Sequence, residues 1–194
     1  MSSTNRSRAR ETHVSDYYVT PVDSITLFLN ELKRHEPLYI REDSTVLDPC
    51  AGGDQGKPMS YPEGLRQSGF RGIIDTIDIR EDSKADIKGN YLEIDCKNKY
   101  DLIITNPPFN QALEIIQKSI QDVREDGYVV MLLRLNFFGS QGRKTFFDRD
   151  LPKYSFVHCK RLKFTNTGGT DSIEYMHTVW HKNHSCEFTK LRII

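Results

Sequence analysis

Asp101-Leu-Ile-Ile-Thr-Asn-Pro-Pro-Phe109 is the stretch on which the reading of this chain turns. Leu102 to Thr105 are apolar or β-branched and read as a buried strand. They run directly into Asn106-Pro107-Pro108-Phe109. A proline after Asn106 drives that residue out of the helical region, so the strand leaves the sheet as an extended loop. Two successive prolines have no N–H to donate. The Pro107 carbonyl and the Asn106 side-chain carbonyl therefore stand as two acceptors beside the flat face of Phe109. That set suits a planar ring carrying an exocyclic amino group, although the same four residues would also serve an ordinary Pro-Pro turn.

Working outward, two further strands end in an acid. Ser44-Thr-Val-Leu-Asp-Pro-Cys-Ala-Gly-Gly-Asp54 reads as a strand over Thr45 to Leu47 with Asp48 at its carboxyl end, where open α/β sheets bind ligands. Gly52 and Gly53 let the backbone approach a ligand or take positive φ. Gln55 to Pro62 is rich in breakers, so the following helix is expected near Glu63, with the long loop before it as a lid. Gly72 to Ile79 reads as a second strand ending at Asp78, an acid placed to accept from two ribose hydroxyls, with Asp75 as an earlier alternative. The spacings, 30 residues from Asp48 to Asp78 and 28 from Asp78 to Asn106, fit alternating strand-helix units.

Before the first strand, Tyr17-Tyr18-Val19-Thr20-Pro21 opens a helix in which Thr20 caps and Pro21 takes the first turn. After Phe109, apolar positions from Ala112 to Val123 give an amphipathic helix, ended by Gly127, and Tyr128 to Leu133 form the next buried strand. Arg134 to Arg143 follow at that strand's end, then a basic and aromatic segment with Arg143, Lys144, Phe146, Phe147 and Arg149, and further on Lys153, Lys160, Arg161 and Lys163. This segment reads either as a strip for a polyanion or as a solvated face. Arg161 to Trp180 is expected to form two antiparallel strands around the loop at Gly168-Gly169.

These motifs, in this order, resemble the S-adenosylmethionine-dependent amino-methyltransferases, and specifically the small phage-type DNA adenine-N6 enzymes with an Asn-Pro-Pro-Phe motif. The resemblance covers about residues 15 to 182. It implies a Rossmann-like class I methyltransferase domain: a three-layer α/β fold with a mostly parallel seven-stranded sheet and an antiparallel edge hairpin. It also implies S-adenosylmethionine held by Tyr18, Thr20, Pro21, Asp48, Pro49, Ala51, Gly52, Gly53, Asp78, Ile79, Asn90, Tyr91 and Asn106, the Asn90-Tyr91 pair flanking the cofactor adenine. Catalysis would fall to Asn106, Pro107, Pro108 and Phe109. Substrate contacts would fall to Phe109, Arg134, Asn136, Arg143, Lys144, Asp171 and Ser172. Acidic residues are commoner where Asn90 stands, so that position departs from the family pattern.

The implied activity is methyl transfer to the N6 amino group of adenine in nucleic acid, DNA before RNA. RNA adenine, protein glutamine and a non-catalytic cofactor-binding subunit are the alternatives. A partner protein or a homodimer could supply target recognition, since neither the short gap between Leu92 and Asn106 nor the stretch after Trp180 leaves room for a separate recognition domain. Residues 1–14 read as a flexible polar segment and 15–194 as one catalytic domain. The implied location is the cytoplasm of a bacterial or phage-infected cell.

Composition sets limits on this reading. The chain has 194 residues with 27 basic and 27 acidic side chains, so net charge points to no polyanion and any such surface must be local. No apolar run reaches the roughly 20 residues that span a bilayer. Cys50, Cys96, Cys159 and Cys186 form no CxxC pair and read as reduced thiols, with no metal site expected from them or from His177, His181 and His184.

Overall fold

The computed structural model describes residues 18–164 and 173–194. Among them, eight strands form one sheet in the order β3-β2-β1-β4-β5-β7-β6-β8. The parallel half is β1 (Thr45–Asp48), β2 (Ile73–Asp78), β3 (Ile87–Lys88), β4 (Tyr100–Thr105) and β5 (Val123–Arg134). β7 (Tyr175–His181) runs antiparallel to both β5 and β6 (Tyr154–Val157), and β8 (Lys190–Ile193) lies parallel to β6.

Apolar side chains leave the sheet on both faces, which is why helices cover both. On one face α1 (Val22–His35) and α2 (Ser60–Gln67) bury Ile25, Phe28, Leu29, Leu32, Tyr61 and Leu65 against Val46, Leu102, Ile104, Val130 and Phe156. On the other, α3 (Ala112–Asp122) and α4 (Lys144–Arg149) bury Ile115, Ile116 and Phe146 with Leu47, Ile77, Ile103, Met131 and Trp180. Because neighbouring strand residues face opposite ways, Leu102 and Ile103 feed different layers. The three-layer, mostly parallel α/β class is as expected.

Several details are corrected. The sheet has eight strands rather than seven; its antiparallel edge region is as expected, with β7 set between β5 and β6 and β8 outermost. The outer partner of β7 is Tyr154–Val157; among the described residues of Arg161 to Phe164 there is no strand. Gly127 does not end a helix. α3 stops at Asp122, and β5 loops out between the pairings Tyr100↔Val123 and Leu102↔Tyr128. Gly127 is needed there because a Cβ would lie 2.9 Å from the Asp101 carbonyl oxygen. α2 begins at Ser60, three residues before the expected start, because Pro62 falls in its first turn, where no N–H is required. Pro21, not Thr20, is the residue capping α1; it is extended (φ −60°, ψ 124°), and no side chain caps that helix.

Candidate functional site

The polar residues singled out in the sequence lie at the carboxyl ends of the parallel strands. β1 ends in Asp48 and β2 in Asp78, and β4 runs out into Asn106. β1 is flanked by β2 and β4, so the three strand ends are adjacent.

The loop after β1 is clasped by the end of β2. Ala51 donates its N–H to the Ile77 carbonyl at 2.9 Å, and Gly52 donates to Asp78 Oδ2 at 2.7 Å. Asp78 Oδ1 accepts the Arg80 N–H at 2.8 Å. Asp78 therefore already fixes two backbone groups, with lone pairs left over for a ligand hydroxyl. Asp75, the alternative acid, is spent elsewhere, accepting from the Tyr100 hydroxyl at 2.8 Å. Gly52 and Gly53 both have positive φ, 62° and 75°, and a Cβ on Gly53 would meet Met59 Cγ at 2.7 Å. Lys84 N–H reaches the Gly52 carbonyl and an Arg80 guanidinium nitrogen reaches the Gly53 carbonyl, both at 3.3 Å. Sequence reading assigned no role to Arg80 or Lys84; the one available signal was the nearness of Arg80 to Asp78.

Asp48 is wholly buried. Burial pushes its carboxyl up to about 7, and the neighbouring Asp78 charge adds to the rise. Its Oδ1 takes the Cys50 N–H at 3.3 Å. The Thr105 hydroxyl lies near enough to moderate the rise, yet neither it nor Asp48 Oδ2 completes a hydrogen bond of normal geometry. A buried oxygen of this kind fits a cationic donor brought in by a ligand. Pro49 is buried beside it, and Cys50 is kept neutral by burial.

Asn106 carries the most telling arrangement. Its amide Nδ2 donates to Thr20 Oγ1 at 3.1 Å, which turns Oδ1 the other way. That Oδ1 is buried and has no partner. Pro107 is buried, and no described donor reaches its carbonyl, whereas the Pro108 carbonyl takes the Gln111 N–H at 3.0 Å. Thr20, itself buried, is thus the positioner of Asn106, and Pro21 orients α1 behind it.

Phe109 is half-buried within a closed ring of aromatic contacts. Its centroid lies 6.2 Å from Tyr18 and 5.8 Å from Tyr175, and Phe164 lies 5.4 Å from Tyr18 and 5.0 Å from Tyr175. The Arg134 guanidinium sits 4.3 Å from the Phe109 centroid, with its Nε buried and unpartnered. Tyr175 and Phe164 escaped sequence reading because apolar aromatics in a late strand and loop look like ordinary core.

Tyr91 is buried, with its hydroxyl on Asp122 at 3.0 Å and near Ser119 at 3.2 Å, so its hydroxyl is committed to the packing of α3. Asn90 caps the short turn after β3, accepting from Leu92 N–H at 3.1 Å. Ile79 is 57% exposed at the end of β2, an apolar face open beside Asp78. Asn136 is exposed in the turn after β5. Arg143 donates to the Phe137 carbonyl at 2.8 Å and lies over that ring, and Lys144 pairs with Asp148 at 2.6 Å. Asp171 and Ser172 lie outside the described residues. Among the described residues no cluster of His, Cys, Asp and Glu could hold a metal, and no helix is long and apolar enough to cross a membrane.

No family model and no curated protein matches the chain. Solved structures do. A candidate class I S-adenosylmethionine-dependent methyltransferase from Listeria monocytogenes superposes with a TM-score of 0.65 at 12% identity, over 91% of this chain and 65% of that one, just under two thirds of its length. A candidate RNA methyltransferase from Pyrococcus horikoshii gives 0.64 at 14% identity over 90% of both chains. The methyltransferase subunit of a type I restriction-modification system from Streptococcus thermophilus gives 0.65 at 13% identity, over 91% of this chain and 47% of that one. The chain has the class I methyltransferase fold. At these identities the likeness is one of fold, and the Asn-Pro-Pro-Phe loop and the aromatic ring are read from this chain's own geometry.

Proposed function

We propose that this protein transfers a methyl group from S-adenosylmethionine to the N6 amino group of adenine in nucleic acid, with DNA as the first substrate to test. The observation that carries the reading is the pair of acceptors at the end of β4, Asn106 Oδ1 and the Pro107 carbonyl. An exocyclic amino group brings two hydrogens, and two acceptors held in place would orient them and favour a pyramidal nitrogen with an available lone pair. The Thr20 contact fixes the amide so that oxygen, not nitrogen, faces the amino group. Phe109 offers a stacking face of the kind worth about 1–3 kcal/mol per base.

For the cofactor, Asp48 Oδ2 would accept from the methionine ammonium, the free lone pairs of Asp78 from the ribose hydroxyls, and Ile79 would pack against the adenine. Bound S-adenosylmethionine supplies an electrophilic methyl: the N–C bond forms as the C–S bond breaks, sulfur keeps the electron pair, and the nitrogen's proton leaves to solvent. The protein's own part is to extrude the base, as enzymes acting on a base must, and to hold its amino group at Asn106.

Fold neighbours that include a restriction-modification methyltransferase subunit and a candidate RNA methyltransferase are compatible with a nucleic-acid substrate. The test is transfer of tritiated methyl to DNA, RNA and protein side by side, with N6-methyladenine measured in the product. Methyl on cytosine N4 or on glutamine would refute the substrate; no transfer to any of the three would refute the activity.

A further inference from the structure

The basic residues that follow β5 separate into two groups. Those on and around α4 are internally occupied: Arg143 by the Phe137 carbonyl and ring, Lys144 by Asp148, Arg149 by Asp150 at 2.6 Å, and Lys153 by Glu36. The segment leaving β6, Lys160-Arg161-Leu162-Lys163-Phe164, is different. Its apolar members are buried, Leu162 at 5% and Phe164 at 2%, while Lys160, Arg161 and Lys163 are exposed. Among the described residues Arg161 has only a long 3.5 Å pair with the equally exposed Glu174, a contact worth little in water. Lys160 and Lys163 form no ion pair among the described residues.

This segment emerges at the site end of the sheet. β6 runs parallel to β8 and antiparallel to β7, and β7 runs antiparallel to β5. The carboxyl end of β6 therefore lies at the same end as Arg134 and Asn106. Phe164 makes the connection physical, touching Tyr18 and Tyr175, which in turn touch Phe109, over which Arg134 lies. Arg134 is a guanidinium with a buried, unpartnered Nε at the inner end of that line. Leaving such a donor unsatisfied is costly, so the group is poised to take an anionic oxygen.

We propose, resting on the nucleic-acid reading above, that the polynucleotide crosses the protein over the segment after β6 and not along α4. Lys160 and Lys163 take phosphates on the approach, and Arg134 takes the phosphate nearest the extruded base. The exposed pairs of Lys144 and Arg149 are themselves weak in water; what sets them apart is that Asp148 and Asp150 stand beside these cations and would repel an incoming phosphate.

The experiment measures binding of a fluorescein-labelled, adenine-containing oligodeoxynucleotide by anisotropy across a salt series, with methyl transfer to the same strand. Each lost phosphate contact lowers the log–log salt slope by about 0.7 to 0.9. The double variant K160A/K163A should therefore lose about 1.4 to 1.8 in slope and bind roughly 20- to 60-fold more weakly at 0.1 M salt, converging on wild type near 1 M. Its turnover at saturating substrate should hold. K144A/R149A should bind as wild type does. Arg134→Ala should lower both slope and kcat/KM, with Arg134→Lys restoring the slope. A K160A/K163A protein with unchanged slope, or a loss confined to K144A/R149A, overturns the path while leaving the activity standing. Wild-type protein that transfers methyl only to protein overturns both.

Discussion

Asp48→Asn isolates the cost of the buried carboxyl. In the folded protein burial lifts Asp48 to about 7 from an ordinary 3.8. At about 1.36 kcal/mol per pKa unit, that difference corresponds to roughly 4 kcal/mol. The sign follows from proton binding. Below about pH 3 both states hold the proton and the term vanishes. As pH rises the unfolded chain ionises first, so the folded state is penalised increasingly until it too ionises near 7. Asparagine keeps the shape and the acceptor for the Cys50 N–H but has nothing to ionise. The stability advantage of Asp48→Asn over wild type should therefore widen by roughly 2–3 kcal/mol between about pH 5 and pH 8. Urea unfolding followed by the fluorescence of Trp180, which is 3% exposed, reports it. A cationic ligand group beside Oδ2 would draw the carboxyl back toward its ordinary range, so saturating S-adenosylmethionine should shrink the widening. A gap between the two proteins that is the same at pH 5 and pH 8 refutes the reasoning.

Asn106→Ala should cut turnover by about 10²- to 10⁴-fold, the range for losing a positioned polar group in the transition state, while calorimetric cofactor affinity holds; full activity would sink the reading of the β4 loop. Asp78→Ala should weaken cofactor binding by roughly 1.5–3 kcal/mol, and also loosen the loop, because Gly52 and Arg80 lose their acceptor; hydrogen exchange at Gly52 unchanged from wild type would contradict the second effect. His158 and His177 are buried and share one hydrogen bond at 2.8 Å, and burial holds both below the ordinary histidine range, His158 at about 4. An unfolded chain takes up those protons first, so stability should fall as pH drops from about 6.5 toward 4, and His158→Gln should flatten that limb in urea melts; an unchanged acid limb would show that other groups govern it.

Much of the fold was legible because the first strands are apolar runs ended by a polar residue with a job at the strand's end. Asp48, Asp78 and Asn106 mark those ends in sequence as they do in space. The second half was harder. Tyr154–Val157 is four residues long and carries no alternation, so the later aromatic stretch was assigned the pairing that this strand takes. Lys190–Ile193 alternates polar and apolar residues, but over only four positions, and its Leu191 and Ile193 stay exposed, so no buried face marks it as a strand. Within the site, local rules misassigned Thr20. Its hydroxyl suits a helix cap, but it is used across the molecule on Asn106. Tyr91 fits a ligand-flanking motif by position, yet packing against α3 claims its hydroxyl. A basic run likewise reads alike in sequence whether its charges are occupied, as in α4, or open, as after β6.

The bond from Asn106 to Thr20 joins positions 86 residues apart, and its nearer end lies in the short extended run that precedes α1. That run is held by a handful of side chains, chiefly Val19 in the core and Tyr18 against Phe109. Short segments outside the regular elements open at lower free energy than the sheet they lean on. Detachment of residues 18–21 would free the Asn106 amide to rotate while the glycine loop and Asp78 kept their geometry. The proposed competence to react would thus be lost as a partial event, by a chain that remains folded with the Gly52-Gly53 loop and Asp78 in place. Warming or mild urea would dim catalysis ahead of the cooperative transition, and a binding partner resting on that run would act as a latch.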